Sequence, residues 1–149
     1  MSELKHAESF RDLLVYQKAR ELQNEVFLIS RAFPKEEKFA LSDQIRRSSR
    51  SIGANIAEAW AKRRYEAHFV SKLTDADGEQ YETQHWIETT VECGYLDPAK
   101  GIALIEKCKQ VGRLLGGTME KADLFCGKPT KGLREDGNEY VVQPFSDTN

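Results

Sequence analysis

The sequence predicts an all-α protein whose four helices form an antiparallel up-down-up-down bundle. Proline is nearly absent from the first 125 residues, where only Pro34 and Pro98 interrupt the chain. Around these two breaks, apolar residues recur every three or four positions, which places them on one face of an α-helix. Four helices of similar length joined by short links lie antiparallel to their neighbours in a bundle. A chain of 149 residues is long enough for one domain with a buried core.

The first two helices are predicted on either side of Pro34. The first runs from about Ser9 to Ala32, because proline pushes the preceding residue, Phe33, out of the helical region. The second begins between Glu36 and Ser42 and ends near Lys62. Their apolar stripes are Val15, Ala19, Leu22, Val26, Ile29 and Phe33 in the first helix, and Leu41, Ile45, Ile52, Ile56, Ala59 and Trp60 in the second.

The last two helices are predicted on either side of Pro98. The third spans about Tyr65 to Cys93 and is followed by Gly94, a residue typical of helix C-termini. The fourth begins at Asp97-Pro98, with the acid at the N-cap and proline at the first helical position, and runs to about Leu124. Their stripes are Phe69, Leu73, Ala76, Gln80, Thr83, Ile87 and Val91 in the third helix, and Leu104, Cys108, Val111, Leu115, Thr118 and Ala122 in the fourth.

The composition of the chain changes after residue 126, where glycine, proline and charged residues become frequent. Such a composition buries too little apolar surface to offset the entropy of ordering. We therefore expect residues 1–126 to form the bundle domain and residues 127–149 to form a mobile tail.

Charge, cysteine content and hydropathy exclude several classes of protein. The formal net charge is −2, so a nucleic-acid site would have to be a local basic patch. The scattered cysteines (Cys93, Cys108 and Cys126) form no C-x-x-C pair, and we expect them to be reduced. The N-terminus lacks a signal-peptide core, and no apolar run approaches the roughly 20 residues of a membrane span. We expect a cytoplasmic protein without a membrane partner.

A row of small residues, Gly53, Ala57 and Ala61 with Ala54 beside them, lies away from the apolar stripe of the second helix. Small residues four apart allow another helix to approach closely. Glycine inside a helix costs about 1 kcal/mol relative to alanine, so Gly53 favours an interface and hence a homo-oligomer. The alternative is that the alanines serve helix propensity alone.

A polar row on the same helix predicts either a contact between helices or a binding site. Its members are Ser48, Ser51, Asn55, Glu58 and Lys62. Asparagine is unfavourable inside a helix unless its amide is used. Asn55 and Glu58 are three positions apart and can face one partner, so we expect a hydrogen-bonded contact that sets the register of two helices.

Two basic clusters flank the neutral centre of the second helix. They are Arg46, Arg47 and Arg50 at one end and Lys62, Arg63 and Arg64 at the other, about 25 Å apart along the axis. The third helix has six acidic residues and no lysine or arginine between Asp75 and Glu92. Two interpretations remain open. Either the arginines pair with Asp75, Asp77, Glu79 and Glu82, or they are exposed and contact phosphates.

The residues offer only a weak indication of catalysis. Glu82 and His85 have the Glu-x-x-His spacing of di-metal sites in helical bundles, which need that motif on two helices. The other such pair, Glu3 and His6, precedes the first helix. Phosphate-binding glycine loops, nucleophile elbows and HExxH motifs are absent from the sequence. We expect no enzymatic activity, no metal or other cofactor and no small-molecule substrate.

The segment PKEEKFALSDQIRRSSRSIGANIAEAWAKRR, residues 34–64, resembles the 23S rRNA-intervening-sequence protein family of bacterial four-helix bundles. That family typically reads proline-x-glutamate, then leucine, Q-x-R-R and S-I-x-x-N-I-A-E-G. The matching positions are Pro34, Glu36 or Glu37, Leu41, Gln44, Arg46, Arg47, Ser51, Ile52, Asn55, Ile56, Ala57 and Glu58. Weaker likeness, including Glu82-Thr83, Trp86 and Gly94-Tyr95, extends it to about residues 10–124. Ala59, where the family usually has glycine, and the tail after Gly127 depart from the pattern.

The resemblance implies a ring-like homopentamer of antiparallel bundles and a function that is mostly unknown. One relative, an accessory protein of diversity-generating retroelements, has a basic surface that associates with a reverse transcriptase and nucleic acid. Only Arg46 and Arg47 of the two basic clusters lie in the shared motif. Structural or interface roles are expected for Ser51, Gly53, Asn55, Ala57, Glu58, Ala61, Glu82 and Trp86.

From these observations we expect a non-enzymatic oligomeric adaptor. Its partners would be other copies of itself and RNA, DNA or a nucleic-acid-processing protein, bound through the two basic clusters. The first alternative is a purely structural protein–protein interaction module that does not bind nucleic acid, and the less favoured one is a di-metal carboxylate enzyme that uses Glu82 and His85.

Overall fold

The computed structural model describes residues 7–127, and within this range every regular element is a helix and there are no strands. Helices α1 to α5 span Leu14–Ser30, Asp43–Ala61, Glu66–Glu92, Pro98–Glu120 and Ala122–Phe125 in chain order. The four long helices match the four predicted ones. The predicted last helix is divided in two, because the backbone of Lys121 leaves the helical region (φ −106°, ψ 26°). Nearly all of the expected tail, residues 128–149, lies outside the described residues.

The starts of α1 and α2 differ from the prediction. Ser9 caps a separate 3-10 turn, Phe10–Asp12, because its Oγ accepts a hydrogen bond from Arg11 N at 3.2 Å. The capped turn satisfies its own backbone donors, and α1 begins only after it. A 3-10 turn at Lys35–Glu37 and one π-helical turn at Lys38–Ser42 precede α2. Helical backbone therefore begins where it was predicted, but regular α-helix begins later.

The predicted link between α3 and α4 is confirmed. Gly94 has a φ of 82°, a left-handed conformation that glycine adopts without steric cost, and Tyr95 N donates to Thr90 O across it at 3.0 Å. Asp97 Oδ2 accepts from Ala99 N at 3.1 Å and so caps the start of α4.

The core lies between the four long helices and consists mainly of the predicted stripes. Of the predicted core residues, all are buried except Ile29, Trp60, Val91 and Thr118, which are half-buried. In α3 the last buried position is Thr90 rather than Val91. The stripe from Phe69 proceeds in alternating steps of four and three residues, the 3.5-residue repeat of packed helices, and the step after Ile87 is three.

Two glycines allow α4 to approach α3 closely, a feature that was not predicted. A Cβ on Gly101 would lie 2.5 Å from Val91 Cγ2, and one on Gly112 would lie 2.8 Å from Gln80 Nε2. Both distances are far inside van der Waals contact. Gln80, a polar residue within the apolar stripe, is buried there and donates to Asp77 Oδ1 at 3.0 Å.

Candidate nucleic-acid interface

The structure places Arg47 against the acidic face of α3. Its Nη2 lies 2.6 Å from Glu82 Oε2 and 3.3 Å from Glu79 Oε1. The hydrogen bond with Glu82 raises the pKa of Arg47, and the same bond, helped by one from Trp86, lowers the pKa of Glu82. Arg47 therefore pairs with the acidic helix, as one of the two interpretations expected, and this ion pair joins α2 to α3.

Arg46 and Arg50 lie on the other side of α2, against α1. Their guanidinium carbons lie 4.9 Å and 5.4 Å from the ring centroid of Phe27, within cation–π range. Arg46 Nε also donates to Ser30 Oγ at 2.7 Å. Within residues 7–127, neither arginine forms an ion pair with a carboxylate. Their charges are thus partly exposed and uncompensated by the described part of the chain.

The second basic cluster follows the end of α2, where only part of it is free to contact a partner. Arg63 packs 3.7 Å over the Trp60 ring and donates from Nε to Trp60 O at 2.8 Å. It is half-buried, and burial lowers its pKa. Arg64 lies 5.7 Å from the Tyr65 ring, and both Arg64 and Lys62 are exposed.

The row of small residues on α2 does not form one continuous exposed surface. Gly53 is buried against α1 within the same chain, where an added Cβ would lie 3.4 Å from Tyr16 Cε1. Ala57 is half-buried, and Ala61 is exposed. Helix α1 of the same chain therefore covers Gly53, and only the alanines of the row are available to a second chain.

Two members of the polar row, Ser48 and Glu58, contact α3, whereas Asn55 bonds within its own helix. Asn55 Nδ2 donates to Ser51 O of its own helix at 2.9 Å, so its amide is used locally. The buried contact between helices is made by Ser48, whose Oγ lies 2.9 Å from Thr83 Oγ1 of α3. Glu58 reaches α3 through Lys72 Nζ at 2.7 Å. Of the two residues expected to face a partner helix, Glu58 contacts α3, whereas the Asn55 amide bonds within α2; the Ser48–Thr83 pair adds a buried contact between the helices.

Glu82 and Trp86 form part of the α2–α3 contact. Trp86 Nε1 donates to Glu82 Oε2 at 3.0 Å, the same oxygen that Arg47 contacts. His85 is exposed and packs edge-on against the Trp86 ring with centroids 4.7 Å apart. No group of three or more His, Cys, Asp or Glu side chains in the described range is arranged to hold a metal ion.

Three residues near Arg46 were missed by sequence reasoning: Phe27, Ser30 and Arg31. Arg31 follows α1, and its guanidinium carbon lies 5.9 Å from the Phe27 ring. The i, i+4 spacing of Phe27 and Arg31 signals a shared helix face. Their distance from Arg46 in sequence gives no such signal, because only the packing of α1 on α2 brings them together.

None of the helices described for residues 7–127 combines the length and apolarity needed to cross a bilayer.

Comparison with known proteins agrees with the resemblance in residues 34–64. A crystal structure from Bacteroides thetaiotaomicron, of a protein with unknown function from the S23 ribosomal protein family, is similar at 30% identity and a TM-score of 0.65. The similarity covers 72% of this chain and 99% of that chain. No curated protein matches the chain. The model of the family described as 23S rRNA-intervening sequence protein matches residues 11–117, and the chain belongs to this family.

Proposed function

We propose that this protein is a non-enzymatic oligomeric adaptor that binds nucleic acid through the arginines of α2. The observation that supports this function best is the contrast among neighbouring arginines. Arg47 has two carboxylates within 3.3 Å, whereas Arg46 and Arg50 have no ion-pair partner within residues 7–127. Arginine forks without a carboxylate partner are suited to the phosphate oxygens of a nucleic acid.

The second basic cluster supports contact with an extended polyanion. Lys62 and Arg64 are exposed about 25 Å along α2 from the first cluster, by the rise of an α-helix. A nucleic acid presents a charge at every phosphate and can occupy both clusters at once. Arg46 and Arg47 lie within residues 11–117, which match the family model, and their resemblance to the family's Q-x-R-R motif supports a role for this end of α2.

We further infer that the four long helices form an antiparallel up-down-up-down bundle and that bundles assemble into a homopentamer. Links of five residues or fewer on either side of α3 favour antiparallel neighbours. Exposed apolar side chains, including Leu28, Phe39 and Ile102, favour contacts between chains. The number five rests on the family resemblance.

The double variant Arg46→Glu/Arg50→Glu tests nucleic-acid binding. We expect the wild-type chain to bind labelled RNA or DNA with an affinity that falls steeply with salt, and the double variant to lose binding. The single variant Arg113→Glu, which reverses an exposed arginine on α4, is the control and should bind nearly normally. Fluorescence anisotropy measures affinity, and circular dichroism checks that each variant is folded. A folded double variant that binds like wild type would contradict the proposal.

The alternative is a purely structural interaction module. It is favoured by the Arg47–Glu82 pair, because this ion pair within the chain engages an arginine of the family motif. This alternative expects a clean protein spectrum, without absorbance from nucleic acid, for the purified oligomer. Light scattering coupled to size exclusion, with absorbance at 260 and 280 nm, separates the two functions. Co-eluting nucleic acid supports the adaptor, and its absence together with no anisotropy change supports the structural module.

A further inference from the structure

Three guanidinium groups, one from the end of α1 and two from α2, lie within 6 Å of the centroid of one phenyl ring. The ring belongs to Phe27 of α1, and the guanidinium carbons of Arg46, Arg50 and Arg31 lie 4.9, 5.4 and 5.9 Å from its centroid. We call Arg31, Arg46 and Arg50 the triple-arginine cluster. Arg31 comes from the end of α1 and the other two from α2, so the cluster exists only when these helices pack together.

The cluster is a concentration of like charge without internal compensation. Within residues 7–127, none of its three members forms an ion pair, although the chain as a whole carries more acidic than basic residues. Each of the three positive charges lies within 6 Å of the same ring centroid, so they repel one another, and the Phe27 ring offsets this repulsion only in part. An anion bound between the three guanidinium groups would relieve the remaining repulsion.

Ser30 holds one member of the cluster in a defined orientation. It is 2% exposed, donates from Oγ to Phe27 O at 2.8 Å and accepts from Arg46 Nε at 2.7 Å. Among residues 7–127, the Arg46 side chain donates only through Nε, so both terminal nitrogens can donate to a ligand outside the chain. A guanidinium fixed in this way loses less side-chain entropy when it binds an oxyanion.

We propose that the triple-arginine cluster is a site for the backbone phosphates of a nucleic acid, with Arg31 as a third binding residue and Ser30 and Phe27 as positioning residues. This inference rests on the proposed function and assigns its ligand chemistry and additional residues. A phosphate accepts several forked donors at once, and a repeated phosphate chain also reaches the basic residues beyond α2. An isolated carboxylate of a second copy would satisfy the cluster but not both ends of the helix.

Arg31→Gln tests the third binding residue through the salt dependence of binding. Each phosphate contact contributes about 0.9 to the slope of log affinity against log salt for duplex and about 0.7 for single strands. Removing one contact should lower the slope by that amount and reduce affinity roughly fivefold to eightfold at 0.1 M salt. Arg20→Gln, on the same helix beside Tyr16, is the matched control and should leave the slope unchanged.

Ser30→Ala and Phe27→Leu test the positioning residues without changing any charge. We expect affinity to fall roughly twofold to tenfold for the first and twofold to fivefold for the second. Arg46→Lys keeps the charge but loses the Nε–H, and should resemble Ser30→Ala in affinity. Thermal unfolding of each variant, compared with its affinity, separates lost positioning from lost fold.

The outcomes separate this inference from the proposed function. Normal affinity and slope for Arg31→Gln, Ser30→Ala and Phe27→Leu, with binding lost in Arg46→Glu/Arg50→Glu, would overturn the inference and retain the function. A wild-type chain that binds no RNA or DNA would overturn both. Loss of assembly in the Arg31→Gln variant with unchanged nucleic-acid binding would assign the cluster to a second copy of the chain, and would also overturn the inference.

Discussion

Replacement of Gly53 by alanine should stabilise the folded chain, although Gly53 is buried. The new Cβ would lie 3.4 Å from Tyr16 Cε1 and 3.8 Å from Gln23 Oε1, which are ordinary contacts. Alanine is about 1 kcal/mol more favourable than glycine inside a helix, and small adjustments of the Tyr16 side chain offset part of this gain. The free energy of unfolding should therefore rise by roughly 0.5–1 kcal/mol.

Thermal unfolding followed by circular dichroism measures this change. For a chain of this size, in which 1 kcal/mol corresponds to a Tm shift of about 2–4 °C, we expect the Tm to rise by about 1–4 °C. Gly116→Ala is the matched control, because nothing lies within 4 Å of its added Cβ. The Tm of this variant should rise by a similar amount. A Tm that falls for Gly53→Ala while it rises for Gly116→Ala would refute the steric reasoning at Gly53.

The alanines of the same row test assembly, because Gly53 itself is covered by Tyr16 of its own chain. If the exposed part of the row is an interface, Ala61→Leu should weaken the oligomer in light scattering while leaving the stability of the isolated chain nearly unchanged. Gly53→Ala is the control and should leave the oligomer intact. An oligomer of unchanged mass and dissociation constant in Ala61→Leu would argue that the row has no role in assembly.

Three further predictions concern other parts of the fold. Gly101→Ala should lower the free energy of unfolding by roughly 1–2 kcal/mol in denaturant titration, because a stiff valine of α3 occupies the space of its Cβ; an unchanged midpoint would contradict this. The lowered pKa of Glu82 stabilises the fold above its usual pKa of about 4.5, and this contribution is lost as pH falls through the folded pKa. In the Arg47→Met variant, the free energy of unfolding should therefore decrease less than in the wild-type chain as the pH falls below 4.5. The same pH dependence in both chains would contradict this account. Cys93 is exposed, whereas burial raises the pKa of Cys108 to about 12, so a thiol reagent should modify Cys93 first; mass spectrometry of the modified peptides would reveal the reverse order.

The helices and the core were largely predictable because their signals are local. The spacing of apolar residues along one segment determines which face is buried, and the stripes of α1 and α4 required no knowledge of other segments. The link at Gly94 was predictable for the same reason, since a left-handed residue at a helix end favours glycine. Local signals were misleading where side chains could satisfy the backbone in two ways, as at Ser9, whose hydroxyl caps a short turn instead of the long helix.

The basic site was only partly predictable. The sequence indicated that Arg46, Arg47 and Arg50 cluster at one end of α2, because their spacing is that of neighbouring turns. It left open which of them pair with carboxylates, since side chains on opposite flanks of one helix meet different neighbours. Asn55 and Glu58 were expected to face one partner helix, but only Glu58 contacts α3 within the described residues, because a polar side chain inside a helix can bond its own backbone and Asn55 does so.

The sequence by itself determined the helical class, the buried stripes, the helix-ending residues and the family, because these depend on periodicity and on residues close together in the chain. Only the tertiary structure decided the partners of the arginines. Arg47 meets Glu82 of α3, 35 positions later, and Arg46 meets Ser30 of α1, 16 positions earlier. Such contacts depend on how far apart packed helices lie and how they are rotated. Two consecutive arginines of α2 therefore meet different groups: Arg46 packs against a phenyl ring, and Arg47 contacts carboxylates.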